Sequence, residues 1–170
     1  VTCTGSWKVD LDENAKKFLT VKENSGSGNK SISVTAALNS TSSPRAGVIT
    51  VVSEDNSSFT KKITVSQAGY VWDVTYDSMQ NVPAAGGTYN VYVKCTGSWR
   101  VSEKSVFLTI PEDKMSGTGD GTLTLTVLSN KKPAYEGAEA TSDRTGKVTI
   151  STTDGSGKTT SITIKQAGDK

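Results

Sequence analysis

Cys3–Val9 reads CTGSWKV and Cys95–Val101 reads CTGSWRV. The two heptapeptides differ only at Lys8 against Arg100 and lie 92 residues apart, counted from Cys3 to Cys95. The correspondence continues in order along the chain. Ser25–Asn29 (SGSGN) answers Ser116–Asp120 (SGTGD), and Asn39 answers Asn130. Arg45–Val51 (RAGVITV) answers Arg144–Ile150 (RTGKVTI), and Val65–Gly69 (VSQAG) answers Ile164–Gly168 (IKQAG). By the last pair the offset has grown to 99, counted from Gln67 to Gln166, so the second copy carries a net insertion, placed at Lys131–Asp143. A period this long exceeds that of solenoid repeats, which run about 20–50 residues, and matches a whole small domain. The repeat therefore divides the chain into two domains, 1–69 and 70–170.

Within each copy the apolar residues alternate with Ser and Thr, the period of a half-buried strand. Ile32, Val34 and Ala36 do so in the first copy, and Leu123, Leu125 and Val127 in the second. Aligning the copies separates the faces. Val48 aligns with Lys147 and Val52 with Ser151, which assigns that face to water. Ile49 with Val148 and Val51 with Ile150 belong to the core, as do Ile63 and Val65 with Ile162 and Ile164. No helical period is sustained, and Gly-rich turns such as Ser25–Asn29 and Asp154–Gly157 punctuate the strands. Short strands at even spacing predict an all-β fold of two tandem immunoglobulin-like β-sandwich domains. Ser and Thr supply about a quarter of the chain, and apolar residues only 34%, as suits thin sandwiches with little core.

The copies differ at their start. The second has a leading segment, Tyr70–Tyr92, that contains VPAAGGTYNVYV and reads as an edge strand, a Gly-Gly turn and a second strand. The first begins at Val1, the counterpart of Val93, so it is expected to lack its N-terminal strands, with the missing segment lying upstream in a longer parent protein. Were that segment missing altogether, the first copy would have an unpaired sheet edge, open to strand addition or swapping.

The ordered motifs resemble those of the BACON domain family. They are GSW, an aromatic-Leu-Thr (Phe18-Leu19-Thr20; Phe107-Leu108-Thr109), SGSG, a strand ending in Asn, an Arg-x-Gly strand, and a closing Gln-Ala-Gly. The resemblance covers essentially the whole chain and implies a tandem pair. It implies an Ig-like sandwich exported to the periplasm or the cell surface, often as an outer-membrane lipoprotein in Bacteroidetes. It also implies a polysaccharide or host glycan such as mucin as partner, beside neighbouring domains of a longer parent protein, or else a spacer role that positions such a domain. The family often has Trp where Phe18 and Phe107 stand, a change that would weaken a sugar platform there.

The residues themselves argue against catalysis. With no histidine, Ser-His-Asp and Cys-His constellations are impossible, and the commonest metal ligand is missing. A glycosidase needs two carboxylates facing one another in a cleft, and the cluster Asp10, Asp12 and Glu13 reads as a solvated loop. Asp113, Asp120 and Asp154 stand near glycines without the spacing of a calcium loop and read as turn formers. No metal and no cofactor is implied. The net charge of +2 comes from 19 basic and 17 acidic residues without a basic block, so no nucleic-acid partner is expected, and no apolar run is long enough for a transmembrane segment. Cys3 and Cys95 occupy equivalent places in two domains and are expected to be unbridged, buried thiols. Trp7 and Trp99, at the head of a strand in each copy, read as core. The candidate glycan contacts are Tyr70, Trp72 and Tyr76, three aromatics within seven residues, and Tyr135 in the insertion. For the first three, packing is the competing explanation, since period-2 spacing also suits one face of a strand.

Overall fold

A computed structural model describes residues 1–170. The chain folds as two compact units, Val1–Tyr70 and Val71–Lys170. Both are built of antiparallel strands, and neither contains an α-helix.

In the first unit the strands are β1 (Ser6–Leu11), β2 (Leu19–Val21), β3 (Ser25–Ser27), β4 (Val34–Ala36), β5 (Arg45–Ser53) and β6 (Thr60–Gln67). They form a four-stranded sheet of order β3-β1-β5-β6 and a two-stranded sheet of β2 and β4. In the second unit they are β7 (Trp72–Tyr76), β8 (Gly87–Cys95), β9 (Ser98–Lys104), β10 (Leu108–Thr109), β11 (Ser116–Thr118), β12 (Gly121–Val127), β13 (Arg144–Thr152) and β14 (Thr159–Gln166). Here the sheets are β11-β9-β13-β14 and β10-β12-β8-β7. The first sheet repeats unit one strand for strand. The second contains the counterparts of β2 and β4 and then continues with β8 and β7, which have no counterpart in unit one. The turn before β8 needs Gly86, whose φ of +79° suits glycine and few other residues.

Alternation puts every second residue of a strand on one face, and in unit two these residues form a closed core. Val91 and Val93 of β8, Leu123, Leu125 and Val127 of β12, Val148 and Ile150 of β13, and Ile162 and Ile164 of β14 are all buried. Only two sheets are available to cover them, so the two buried faces meet as a sandwich. Unit one has a smaller core of Trp7, Val9, Ala15, Phe18, Leu19 and Ile49.

At several positions the unit-one core departs from the inward set expected of it. Ile63 aligns with Ile162 but is 46% exposed where its counterpart is fully buried, and Val51 and Val65 are only half-buried. Val34 is 42% exposed against full burial of Leu125. These residues face the intended side of their sheets. In unit two the corresponding sheet continues with β8 and β7, which have no counterpart among residues 1–70.

Candidate functional site

The residues that repeat between the copies build a structural frame, the same in both units. Trp7 and Trp99 are buried, and each indole N–H donates to a glycine carbonyl, Gly28 at 3.0 Å and Gly119 at 2.9 Å. Glycine is needed beside each ring. A Cβ on Gly26 or Gly117 would lie 2.5 or 2.6 Å from a Trp ring carbon. The guanidinium of Arg45 lies over the Phe18 ring at 4.5 Å, and that of Arg144 over Phe107 at 4.1 Å. Each arginine donates from Nε to a glutamine Oε1 at 2.8 Å, Gln67 in one unit and Gln166 in the other. Burial pulls the Arg144 guanidinium below its ordinary pKa. Asn39 and Asn130 each donate through Nδ2 to two backbone carbonyls, Ser43 and Ala68 in the first unit and Ser142 and Ala167 in the second. Aromatic, Arg, Asn and Gln therefore lock strand ends together.

Two carboxylates of the acidic loop in unit one, Asp12 and Glu13, are held below their usual range. Asp12 accepts the Ala15 N–H at 2.6 Å, a bond that holds its carboxyl below the usual range. Glu13 pairs with Lys16 at 2.6 Å and is lowered for that reason. A glycosidase acid needs the opposite shift. The thiols are unbridged. Cys95 is buried, whereas Cys3, expected to be buried too, is only half-buried.

The four candidate glycan contacts fall in different environments. Tyr70 is the last residue of unit one and is buried, in keeping with the packing explanation for it. Trp72 and Tyr76 lie on the edge strand β7 opposite Cys95 and Val91 of β8, so both point to the core side of their sheet. The Trp72 indole N–H donates to Thr160 Oγ1 on β14 at 3.0 Å, which ties this half-buried ring across the sandwich edge. Tyr76 lies further along the strand and is 45% exposed. Tyr135 is 67% exposed on the insertion, where its carbonyl accepts the Ala138 N–H in a turn. The candidate set therefore reduces to Tyr76 and Tyr135, with Trp72 as a packed neighbour of the former. Tyr92, on the outer face of the same sheet, is also 45% exposed and was not singled out from the sequence.

Unit one holds an apolar concavity, a cleft of about 550 Å³ lined by Cys3, Ile32, Val34, Val51, Phe59 and Ile63 among others. It lies where β8 packs in unit two. Phe59, highly exposed at its rim, aligns with Lys158. An apolar residue in one copy facing a charge in the other was the available signal for this surface. The free edge of β4 borders the cleft. Ser33 and Ala37 bond to β2 through Lys22 and Phe18, so by alternation Ile32, Val34 and Ala36 turn their N–H and C=O groups away from β2, toward that edge. Only Val1 continues the pairing. Its ammonium nitrogen donates to the Lys30 carbonyl at 2.7 Å, and its own carbonyl accepts the Lys30 N–H at 3.0 Å. Val93 and Gly121, the equivalent residues, are partners in unit two.

Fold and frame define an all-β, immunoglobulin-like module whose repeated residues are structural. Within it, residues 7–68 match the BACON family, described as "Putative binding domain, N-terminal". The match lies in unit one and bears out the family resemblance there. No curated protein matches the chain. Among solved structures the chain is similar to domains 4 and 5 of the S-layer protein SbsC, at 15% identity and a TM-score of 0.44, covering 98% of this chain and 72% of that one. It is similar to the D00-D0 domain of Intimin at 12% identity and a TM-score of 0.40, covering 96% and 87%. It is also similar to cadherin domains 3–6 of protocadherin gamma B2 at 9% identity and a TM-score of 0.39, covering 98% and 40%. No helix is long and apolar enough to cross a membrane.

Proposed function

We propose that the chain is a non-catalytic, exported binding module, in the periplasm or at the cell surface, with a glycan as its ligand. The exposure of Tyr135 carries this reading: a ring two-thirds open to solvent on an insertion that one copy has and the other lacks. Sugar rings offer apolar C–H faces that pack on aromatic rings, and binding residues concentrate on loops held by a rigid scaffold. Tyr76 supplies a second ring. The description of the matching family as a binding domain supports the same direction, and we extend the family from residues 7–68 to the second unit, which shares the Trp, Phe-Arg-Gln and Asn frame.

The test is retention of the 170-residue chain on polysaccharide and mucin arrays, followed by titration of any hit. Tyr135→Ala is expected to weaken binding at least about tenfold, the loss of roughly 1.4 kcal/mol, with Tyr76→Ala smaller. Absence of retention on every polysaccharide and mucin would remove the reading. A second reading, a spacer that positions a neighbouring domain, is favoured by the use of Trp7, Trp99, Phe18 and Phe107 for packing. It expects that deleting a unit alters the reach of the parent protein while surface tyrosines can be changed freely.

A further inference from the structure

One ring of unit two stands where strand alternation puts polar residues. Val91 and Val93 of β8 and Leu123 of β12 point inward and are buried, so Tyr92 and Thr122 lie on the water-facing side of that sheet. On this side β12 carries Thr122, Thr124 and Thr126, and β7 carries Asp73, Thr75 and Asp77. Tyr92 interrupts them. It is paired with Thr75 on one strand and Thr122 on the other, and it is 45% exposed. A single exposed ring is ordinary on a protein surface. This one borders a groove of about 500 Å³, lined also by Asp73, Thr75, Lys94, Asp120 and Thr122. That volume lies within the range of ligand clefts, about 300–1,000 Å³. The polar groups around the ring are held in place by the backbone. Asp120 accepts the Cys95 N–H through Oδ1 at 3.1 Å, which leaves Oδ2 for another donor, and Asp77 accepts the Asn90 N–H through Oδ2 at 2.7 Å.

We infer that this groove is a second sugar site, one that takes a neutral hexose unit of a glycan chain with its apolar C–H face on the Tyr92 ring. The chemistry of the lining selects this ligand. An apolar group would cover the ring but leave the carboxylates, the ammonium and the threonine hydroxyls without partners, which costs free energy. A sugar hydroxyl both donates and accepts, so a ring of hydroxyls matches a mixed set: Asp73 and Asp120 accept, Lys94 donates, and Thr75 and Thr122 do either. Bonds to the charged groups are the stronger ones. Two carboxylates against one ammonium leave the groove net negative, which opposes a uronate or a sulfated sugar. The inference rests on the reading of the chain as a glycan-binding module and adds to it a site apart from Tyr135, on strands rather than on the insertion. Tyr76 does not share it, because Tyr76 points to the other side of the sheet.

The test is titration of the 170-residue chain with four soluble probes, followed on the backbone amide resonances: cellohexaose, maltohexaose and mannohexaose as neutral chains, and hexagalacturonate as an acidic one. At least one neutral hexamer is expected to shift the amides of Thr75, Tyr92 and Thr122. Tyr92→Ala is expected to weaken that binding at least about tenfold, whereas Tyr92→Phe, which keeps the ring, stays within about threefold. An unshifted Trp99 indole N–H resonance certifies that unit two stays folded in both variants. Tyr92-dependent binding that survives Tyr135→Ala supports the inference and takes from Tyr135 its place in the broader reading. A neutral hexamer that shifts only residues 131–143, with an affinity indifferent to Tyr92→Ala, overturns the inference and leaves the glycan reading standing. Binding at Tyr92 of hexagalacturonate alone overturns the assignment to a neutral sugar. No shift at Thr75, Tyr92 and Thr122 with any of the four probes overturns the inference too, while retention on the polysaccharide and mucin arrays decides the broader reading separately.

Discussion

Ile63 and Ile162 are the same residue at the same register position, opposite Ile49 on β5 and Val148 on β13. One is nearly half exposed and the other fully buried. In unit two the strand that carries Ile162 is flanked by β7 and the segment after it, which bond to it through Trp72 to Thr160 and through Gln80 to the Thr163 carbonyl, and residues 1–70 contain no counterpart of these elements. The comparison separates what a strand pattern decides, namely the face on which a side chain lies, from what it leaves to the rest of the fold, namely whether that face is covered.

The contrast can be broken most easily by truncating the paired isoleucines. Ile162→Ala is expected to destabilise unit two by about 2–5 kcal/mol, because it empties a closed core, whereas Ile63→Ala costs unit one less than about 1 kcal/mol. Urea unfolding followed on the indole N–H resonances of Trp7 and Trp99 reports the two units separately, and equal losses would mean that unit one closes over Ile63. The thiols provide the next test. Cys3 lines the cleft and is half-buried, whereas Cys95, on β8 opposite Trp72 of β7, is buried, so maleimide is expected to modify Cys3 about 100-fold faster, a ratio set by accessibility.

Other substitutions sharpen the comparison by testing where the units should agree. Gly26→Ala and Gly117→Ala each push a methyl into a Trp ring from about the same distance. Both are expected to cost about 1–3 kcal/mol, and a large difference between them would show that the Trp frames are not equivalent. The smallest effect belongs to Tyr135→Ala. The ring is mostly solvent-exposed, so thermal unfolding of unit two is expected to move by no more than about 0.5 kcal/mol, leaving any loss of glycan binding attributable to the ring itself.

The frame was legible because it was written twice. Trp7 with Trp99, Arg45 with Arg144 and Gln67 with Gln166 recur in order, and strand alternation assigned their neighbours to faces. Tyr70 and Trp72 were harder to place. Aromatics at period-2 spacing look alike whether they coat a surface or seal an edge, and only the tertiary structure shows Tyr70 buried and the Trp72 N–H held by Thr160. Cys3 and Ile63 were expected inside because the self-alignment equates them with residues of a complete sandwich. The alignment carries side-chain direction across but not the covering strand. Phe59 was passed over, although its alignment with Lys158 marked a surface that differs between the copies.

The account rests on one module present twice, closed by β8 in the second unit and open along β4 in the first. Residue-resolved hydrogen–deuterium exchange on the 170-residue chain tests this most directly, comparing the amides of Ile32, Val34 and Ala36 with those of Leu123, Leu125 and Val127. The unit-two amides, bonded to β8, are expected to be protected to nearly the global stability of their unit, while those of unit one exchange close to the rate of an open chain. Equal strong protection of the two sets in the monomeric chain would contradict the account.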